Sequence, residues 1–136
     1  MIVADTSGLL ALFNAREPRH DDARRVVERE KDPLVVSPFV IAELDYLVAT
    51  RLGVDAELAV LRELTGGAYH LPQISIDDLH ECVAVIERYR DQEIGLADAS
   101  LVVLAARHST RQILTLDHRH FRVLRPVDGG RFRLLP

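Results

Sequence analysis

The sequence predicts an α/β protein, a three-layer α/β/α sandwich with a central, mainly parallel sheet. Three observations carry that expectation. Short apolar runs of strand length, "IVAD" at 2–5, "PLVVS" at 33–37 and "QILTLD" at 112–117, alternate with longer helical stretches, and strands separated by helices pair in parallel. No repeat, low-complexity tract or Pro/Gly/Ser-rich linker divides the chain. At 136 residues, 48% hydrophobic and 28% charged, it suits one domain over 1–136 with a buried core.

The elements follow in order. Residues 2–5 read as a buried strand and 7–14 as a helix starting on its heels. The charge-rich stretch from Pro18 to Glu30 reads as a helix with Ala23, Val26 and Val27 facing inward. After the strand at 33–37, "SPFVIAELDYLVATRLG" carries helix signals at both ends: Ser37 as N-cap, Pro38 at the first helical position and Gly53 as the stop. Asp55 is expected to cap the next helix, which ends at Gly66-Gly67, and Tyr69 to Ile76 reads as a strand plus a turn. Asp77 then opens a helix running towards Arg90. "IGLADASLVVLAARH" is the most apolar helix, the kind that lies against a sheet. The final "RFRLLP" is expected to add an edge strand.

Composition excludes several classes. The one cysteine, Cys82, rules out an internal disulfide and a multi-cysteine zinc site. No apolar run reaches the length of a membrane span and no secretory leader is visible, so a cytoplasmic protein is expected. No P-loop, G-x-G-x-x-G or G-x-S-x-G occurs, which removes support for nucleotide cofactors and serine catalysis. The net charge of −4 is unevenly spread: from Arg107 onward seven arginines face only Asp117 and Asp128, a local +5 that leaves −9 for the rest. Either the tail is a solvated basic surface, or it is a phosphate-facing rim beside an acidic centre.

The acids fall where ligand chemistry is expected. Asp5 and Asp117 each follow an apolar strand, and in open parallel sheets ligands bind beyond the carboxyl ends of the strands. Glu43 lies in the helix after the second strand, on one stripe with Phe39 and Leu47, at the edge of the buried face, while Asp45 is expected to turn to solvent. Asp98 sits among Leu, Ala and Val with no basic residue until Arg107. A half-buried carboxylate without a partner is costly and calls for hydrogen bonds, a cation or protonation. Singly, each has a plainer role: Asp5 or Asp117 as a helix cap, Glu43 as an exposed helix residue, Asp98 as an acid favoured by the helix dipole. One site explains all four together.

Several carboxylates with no other nucleophile suit divalent-metal phosphoryl hydrolysis, in which oxygen ligands hold Mg²⁺ or Mn²⁺ and the metal activates water. Thr6 and Ser7 supply hydroxyls that could orient Asp5 or bind a metal-bound water, and Thr115, two residues before Asp117, points to the same side of its strand.

"IVADTSGLLALF", "VVSPFVIAELDYL", "IGLADASLVVLAAR" and "ILTLDHRHF", in this order and spacing, resemble the PIN-domain nucleases, and among them the VapC toxins of bacterial type II toxin–antitoxin systems. The resemblance spans essentially the whole chain. It implies a compact α/β/α domain that cleaves RNA with Mg²⁺ or Mn²⁺, with Asp5, Glu43, Asp98 and Asp117 as metal-site acids and Thr6 and Thr115 as supporting hydroxyls. It also implies a homodimer, structured RNA such as tRNA or rRNA as substrate, and inhibition by a VapB-like antitoxin that fills the acidic groove.

His118 and His120 flank Arg119 beside Asp117; with no third soft ligand nearby they read, with Arg119 and Arg122, as RNA-contact candidates. Sparse aromatics argue against base stacking as the main grip. Rival readings fit less well. A dehalogenase-like phosphotransferase needs a second acid where Ser7 stands, and a response regulator needs a strand-end lysine, whereas the only lysine is Lys31 in a polar helix. A non-catalytic module of the same fold and a free-standing RNA-processing nuclease remain alternatives.

Overall fold

The computed structural model describes all residues, 1–136. Five strands form one sheet: β1 (Val3–Ala4), β2 (Leu34–Val36), β3 (Tyr69–His70), β4 (Gln112–Leu114) and β5 (Arg133–Leu135), in the order β3-β2-β1-β4-β5. Every pairing is parallel, with Val3 opposite both Val35 and Ile113. The sheet is therefore wholly rather than mainly parallel, and the expected edge strand at the end of the chain is present as β5.

Seven helices connect the strands: α1 (Thr6–Phe13), α2 (His20–Arg29), α3 (Pro38–Leu52), α4 (Val54–Leu64), α5 (Ile76–Arg88), α6 (Leu96–Arg107) and α7 (His118–Val123). The chain moves outward from β1 to β2 and β3, then crosses to the other side of β1 for β4 and β5. Right-handed crossovers put the connecting helices of these two excursions on opposite faces, which makes three layers. The strand order reverses between β1 and β4, the switch point at which such sheets open a crevice.

Local chemistry sets the element ends. Ser37 caps α3, its Oγ accepting from the Phe39 N–H at 3.2 Å, with Pro38 at the first position. Gly53, at φ 87°, ends α3 and begins α4, so Asp55 lies inside the first turn of α4 instead of capping it. Ser75, not Asp77, caps α5: its Oγ accepts from the Asp78 N–H while the Asp78 carboxylate accepts from the Ser75 N–H, a reciprocal box. In α6, Ala99 through Ala105 are all buried, as the apolar run predicts. Gly8 packs α1 directly on β4; a Cβ there would overlap the Leu114 carbonyl. That contact draws Asp5, at the end of β1, close to the strand that leads to Asp117.

Candidate active site

At the carboxyl ends of β1 and β4, a crevice of about 390 Å³ is lined by Asp5, Glu43, Asp98 and Asp117. All four acids expected from the sequence thus meet, from segments more than 100 residues apart. Each arrives on its own element: Asp5 just before α1, Glu43 in α3, Asp98 in the first turn of α6 and Asp117 just before α7.

Asp5 is buried and takes no part in capping α1, although it stands at the cap position. Its Oδ2 accepts instead from Ser7 Oγ and from Thr115 Oγ1, at 2.8 Å each. Those hydroxyls are themselves held: Ser7 Oγ accepts from the Leu116 N–H at 2.9 Å and Thr115 Oγ1 from the Asp117 N–H at 2.9 Å. With one proton on each hydroxyl, both directed to Asp5, the lattice fixes the carboxylate and leaves Oδ1 for another partner. The expected support from Thr115 is observed. Ser7 adds a second donor.

Thr6 is bonded to another of the four acids than Asp5. Its hydroxyl donates to Glu43 Oε2 at 3.0 Å, so it steadies the α3 acid rather than Asp5. As the first residue of α1, it points across the crevice instead of back over the cap. The two acids of the third helix also trade places relative to the sequence reading. Glu43 is exposed towards the crevice, whereas Asp45 is half-buried beside Glu57 of α4 and its Oδ1 has no hydrogen-bond partner. The reason is the tight α3–α4 turn at Gly53, which folds α4 back over the Asp45 side of α3.

Asp117 fills the plainer role of helix cap and also reaches the crevice. Its Oδ1 caps α7 by accepting from the His120 N–H at 3.2 Å, and it lines the crevice. One turn on, His120 Nδ1 lies 3.0 Å from Asp117 Oδ2 and 3.4 Å from Asp98 Oδ2, tying two of the acids together. Asp98, with 17% of its side chain exposed, has its pKa pushed up to about 6. Burial is the main cause, and Asp5 is next; Asp117 and Glu43 add to it, while His120 opposes.

The remaining contact candidates separate. His120 lines the crevice, but His118, Arg119 and Arg122 do not, although they share α7. The tail arginines form no single rim either. Arg107 binds the Gln73 carbonyl and Asp78, Arg111 pairs with Asp128, and Arg133 lies in a groove beside α2. The cation that does face the acids is Arg51, near the end of α3. It makes no ion pair with them despite sharing the cavity. The sequence held the signal for it, since Glu43, Leu47 and Arg51 recur every four residues on one helical stripe and all three line the crevice.

The donor set is hard: carboxylate oxygens, hydroxyls already committed to supporting them, and one imidazole turned to two acids. Burial first, and then the neighbouring acids, disfavour the Asp98 anion, and a divalent cation would favour it again by offsetting both. No three of the acidic, histidine or cysteine side chains converge into a finished cage. A cation held here would keep water or substrate oxygens in its coordination shell, as Mg²⁺ commonly does.

The same architecture and sequence recur in known proteins. Residues 2–125 match the PIN domain family. The chain is 56% identical to Ribonuclease VapC26 of Mycobacterium tuberculosis, over 99% of this chain and 100% of that protein. The structure of M. tuberculosis VapC20, a sarcin-ricin loop cleaving toxin, superposes with a TM-score of 0.84 over the whole of both chains at 20% identity. That of VapBC2 from Rickettsia felis bound to a promoter DNA fragment does so at 0.72 and 14% identity, again over both whole chains. No helix is long and apolar enough to cross a membrane. With the acids of four separate segments gathered at the switch point of a parallel sheet, the chain belongs to the PIN-domain family, as a ribonuclease of the VapC type.

Proposed function

We propose that the chain, acting as one domain over its full length, is a Mg²⁺- or Mn²⁺-dependent endoribonuclease and the toxin of a toxin–antitoxin pair. The observation that carries this reading is the convergence of Asp5, Glu43, Asp98 and Asp117 on one crevice in which Asp98 is destabilised as an anion. Asp5, Asp98, Glu43 and Asp117 would hold the metal. A bound divalent ion supplies activation of water and charge neutralisation at the phosphodiester.

The chain's own residues set up the rest. Ser7 and Thr115 hold one oxygen of Asp5 so that the other stays turned to the ion. Thr6 restrains the long Glu43 side chain. His120 keeps Asp98 and Asp117 at a fixed spacing, and Arg51 offers the incoming phosphate a guanidinium that no protein acid has already taken. Buried positions for Asp5 and Thr6 keep bulk water from competing with these contacts.

A structured RNA, a tRNA or a ribosomal RNA, is the proposed substrate; the fold shared with a sarcin-ricin loop cleaving toxin supports the ribosomal choice. The proposed partners are a second copy of the chain and a VapB-like antitoxin that occupies the acidic crevice, supported by likeness to a VapBC assembly. The test is cleavage of defined tRNA and rRNA fragments by the purified chain. Activity should vanish in EDTA, return with Mg²⁺ or Mn²⁺, and be absent in Asp98→Asn. Cleavage that persists in EDTA would refute the metal-dependent reading. Expression of the chain should arrest growth, and co-expression of a small DNA-binding protein encoded beside it should relieve that arrest; arrest that no adjacent gene relieves would refute the antitoxin reading.

A further inference from the structure

Apart from the ion it would hold, the crevice offers an RNA backbone one guanidinium, that of Arg51. The crevice lining includes none of the arginines at the end of the chain. A second cavity, of about 500 Å³, is richer in arginine. One wall is α2, with Arg25 and Arg29 on it and Arg19 just before its first residue; the floor is the sheet face that carries Ile2, Gln112 and Arg133. Ile2 is level with Gln112, and Gln112 is paired with Arg133, so these three share one face by strand alternation.

The orientation of α2 follows from its ends. The Arg19 guanidinium lies 3.4 Å from the Pro136 carbonyl oxygen, while Glu30, just past the helix, lies 3.2 Å from the Met1 amino group. The helix therefore runs antiparallel to the strands, and the groove follows it from the carboxyl end of β5 back to the start of β1. Two acids line the groove, and both are engaged. Asp22 takes Arg19 at 2.8 Å and Arg25 at 3.4 Å; Glu30 accepts from the backbone N–H groups of Lys31 and Asp32 as well as pairing with the amino terminus. Arg29 and Arg133 make no ion pair. In a chain of net charge −4 this is a local excess of unneutralised positive charge on a concave surface.

We infer that the groove between α2 and β5 is an anchoring site for RNA, binding backbone phosphates outside the cleavage crevice. The inference rests on the ribonuclease reading above and adds a second point of attachment to it. Guanidinium forks match phosphate oxygens two at a time, and such contacts hold a strand without reading its bases. The paired Arg19 and Arg25 shape the wall, and the free Arg29 and Arg133 make the new contacts. An acidic protein segment is the competing occupant. RNA is favoured because a row of arginines along α2 opposite one on a strand suits a regularly spaced polyanion.

The test uses the full chain carrying Asp98→Asn, so that RNA is bound without being cut. Binding of a defined single-stranded RNA is measured across a salt series, with and without Arg29→Ala and Arg133→Ala together. The expected result is weaker binding and a salt slope lower by about 0.7 for each arginine removed. Arg29→Lys with Arg133→Lys should keep most of the slope, because the point charges remain. In the otherwise wild-type chain, the Ala pair should raise KM for a long RNA and leave cleavage of an oligonucleotide too short to reach the groove unchanged. An unchanged affinity and slope would overturn the inference, as would lost binding of polyglutamate with RNA binding retained. RNA binding by the chain with all four acids intact, but with no cleavage in Mg²⁺ or Mn²⁺, would sink the catalytic reading alone, so the two failures are distinguishable.

Discussion

Thr115 reaches Asp5 across 110 positions of sequence and donates its hydroxyl to Oδ2 at 2.8 Å. The same oxygen atom of Thr115 accepts the Asp117 N–H, so one buried hydroxyl sets both the first and the last acid of the crevice. Thr115→Val keeps the shape and removes both bonds. It should cost about 1–3 kcal/mol in unfolding free energy, because the half-buried Asp117 N–H and the buried Asp5 carboxylate each lose a partner. RNA cleavage should fall by about 10–100-fold, the usual effect of removing a group that orients a ligand. Thr115→Ser should restore both, as chemical denaturation and single-turnover cleavage would show; a valine variant as active as wild type would remove Thr115 from the site.

Thr6 serves Glu43 alone, so its loss should be narrower. Thr6→Val should raise the concentration of Mg²⁺ needed for half-maximal cleavage by about tenfold and leave the rate at saturating metal nearly unchanged. A metal titration distinguishes this outcome from a general loss of activity.

Asp98 gives the protein a stability that depends on pH and metal. Its folded-state pKa, about 6, lies above the ordinary carboxylate value of 3.8 because burial and neighbouring acids disfavour the anion. The metal-free native state therefore holds a proton there that the unfolded chain has released. The stabilisation is full below about pH 4, declines as pH rises through 6, and is gone above it. Metal-free Asp98→Asn should accordingly be more stable than wild type at pH 7–8, by an amount on the order of 2 kcal/mol. The difference should shrink towards acid pH and also on addition of Mg²⁺, which relieves the repulsion only in the wild type. Thermal melts at several pH values, with and without metal, provide the check.

Arg51 is exposed and makes no ion pair, so removing it should leave folding within about 0.5 kcal/mol of wild type. Arg51→Ala should raise KM for RNA by about tenfold and change kcat little, the signature of lost ground-state binding. Arg51→Lys should recover part of that loss. A fall in kcat at constant KM would instead place Arg51 against the transition state.

The fold and the four acids were legible in the sequence because their signals are local. Strand-length apolar runs, Ser37-Pro38 and the Gly53 stop, and an acid at the end of each of two strands are properties of a few neighbouring residues, and backbone geometry gives them the same meaning in any context. Helix starts were less legible at Asp55 and Asp77. Several residues near each start can cap, and the choice falls to the one whose backbone is extended, as Ser75 is, or left-handed, as Gly53 is.

The alternation of strands and helices, and four acids at positions where a parallel sheet gathers them, are thus written in the order of residues. What each side chain touches is not. Tertiary packing gave Thr6 to Glu43, turned Asp45 towards Glu57, brought Arg51 rather than the α7 arginines to the crevice, and spread the basic tail over separate surfaces. Hydrogen bonds and charge contacts act over a few ångströms, and those distances are set by the packing of α1 on β4 through Gly8 and of α4 on α3 through Gly53, between residues far apart in the chain or separated by a turn.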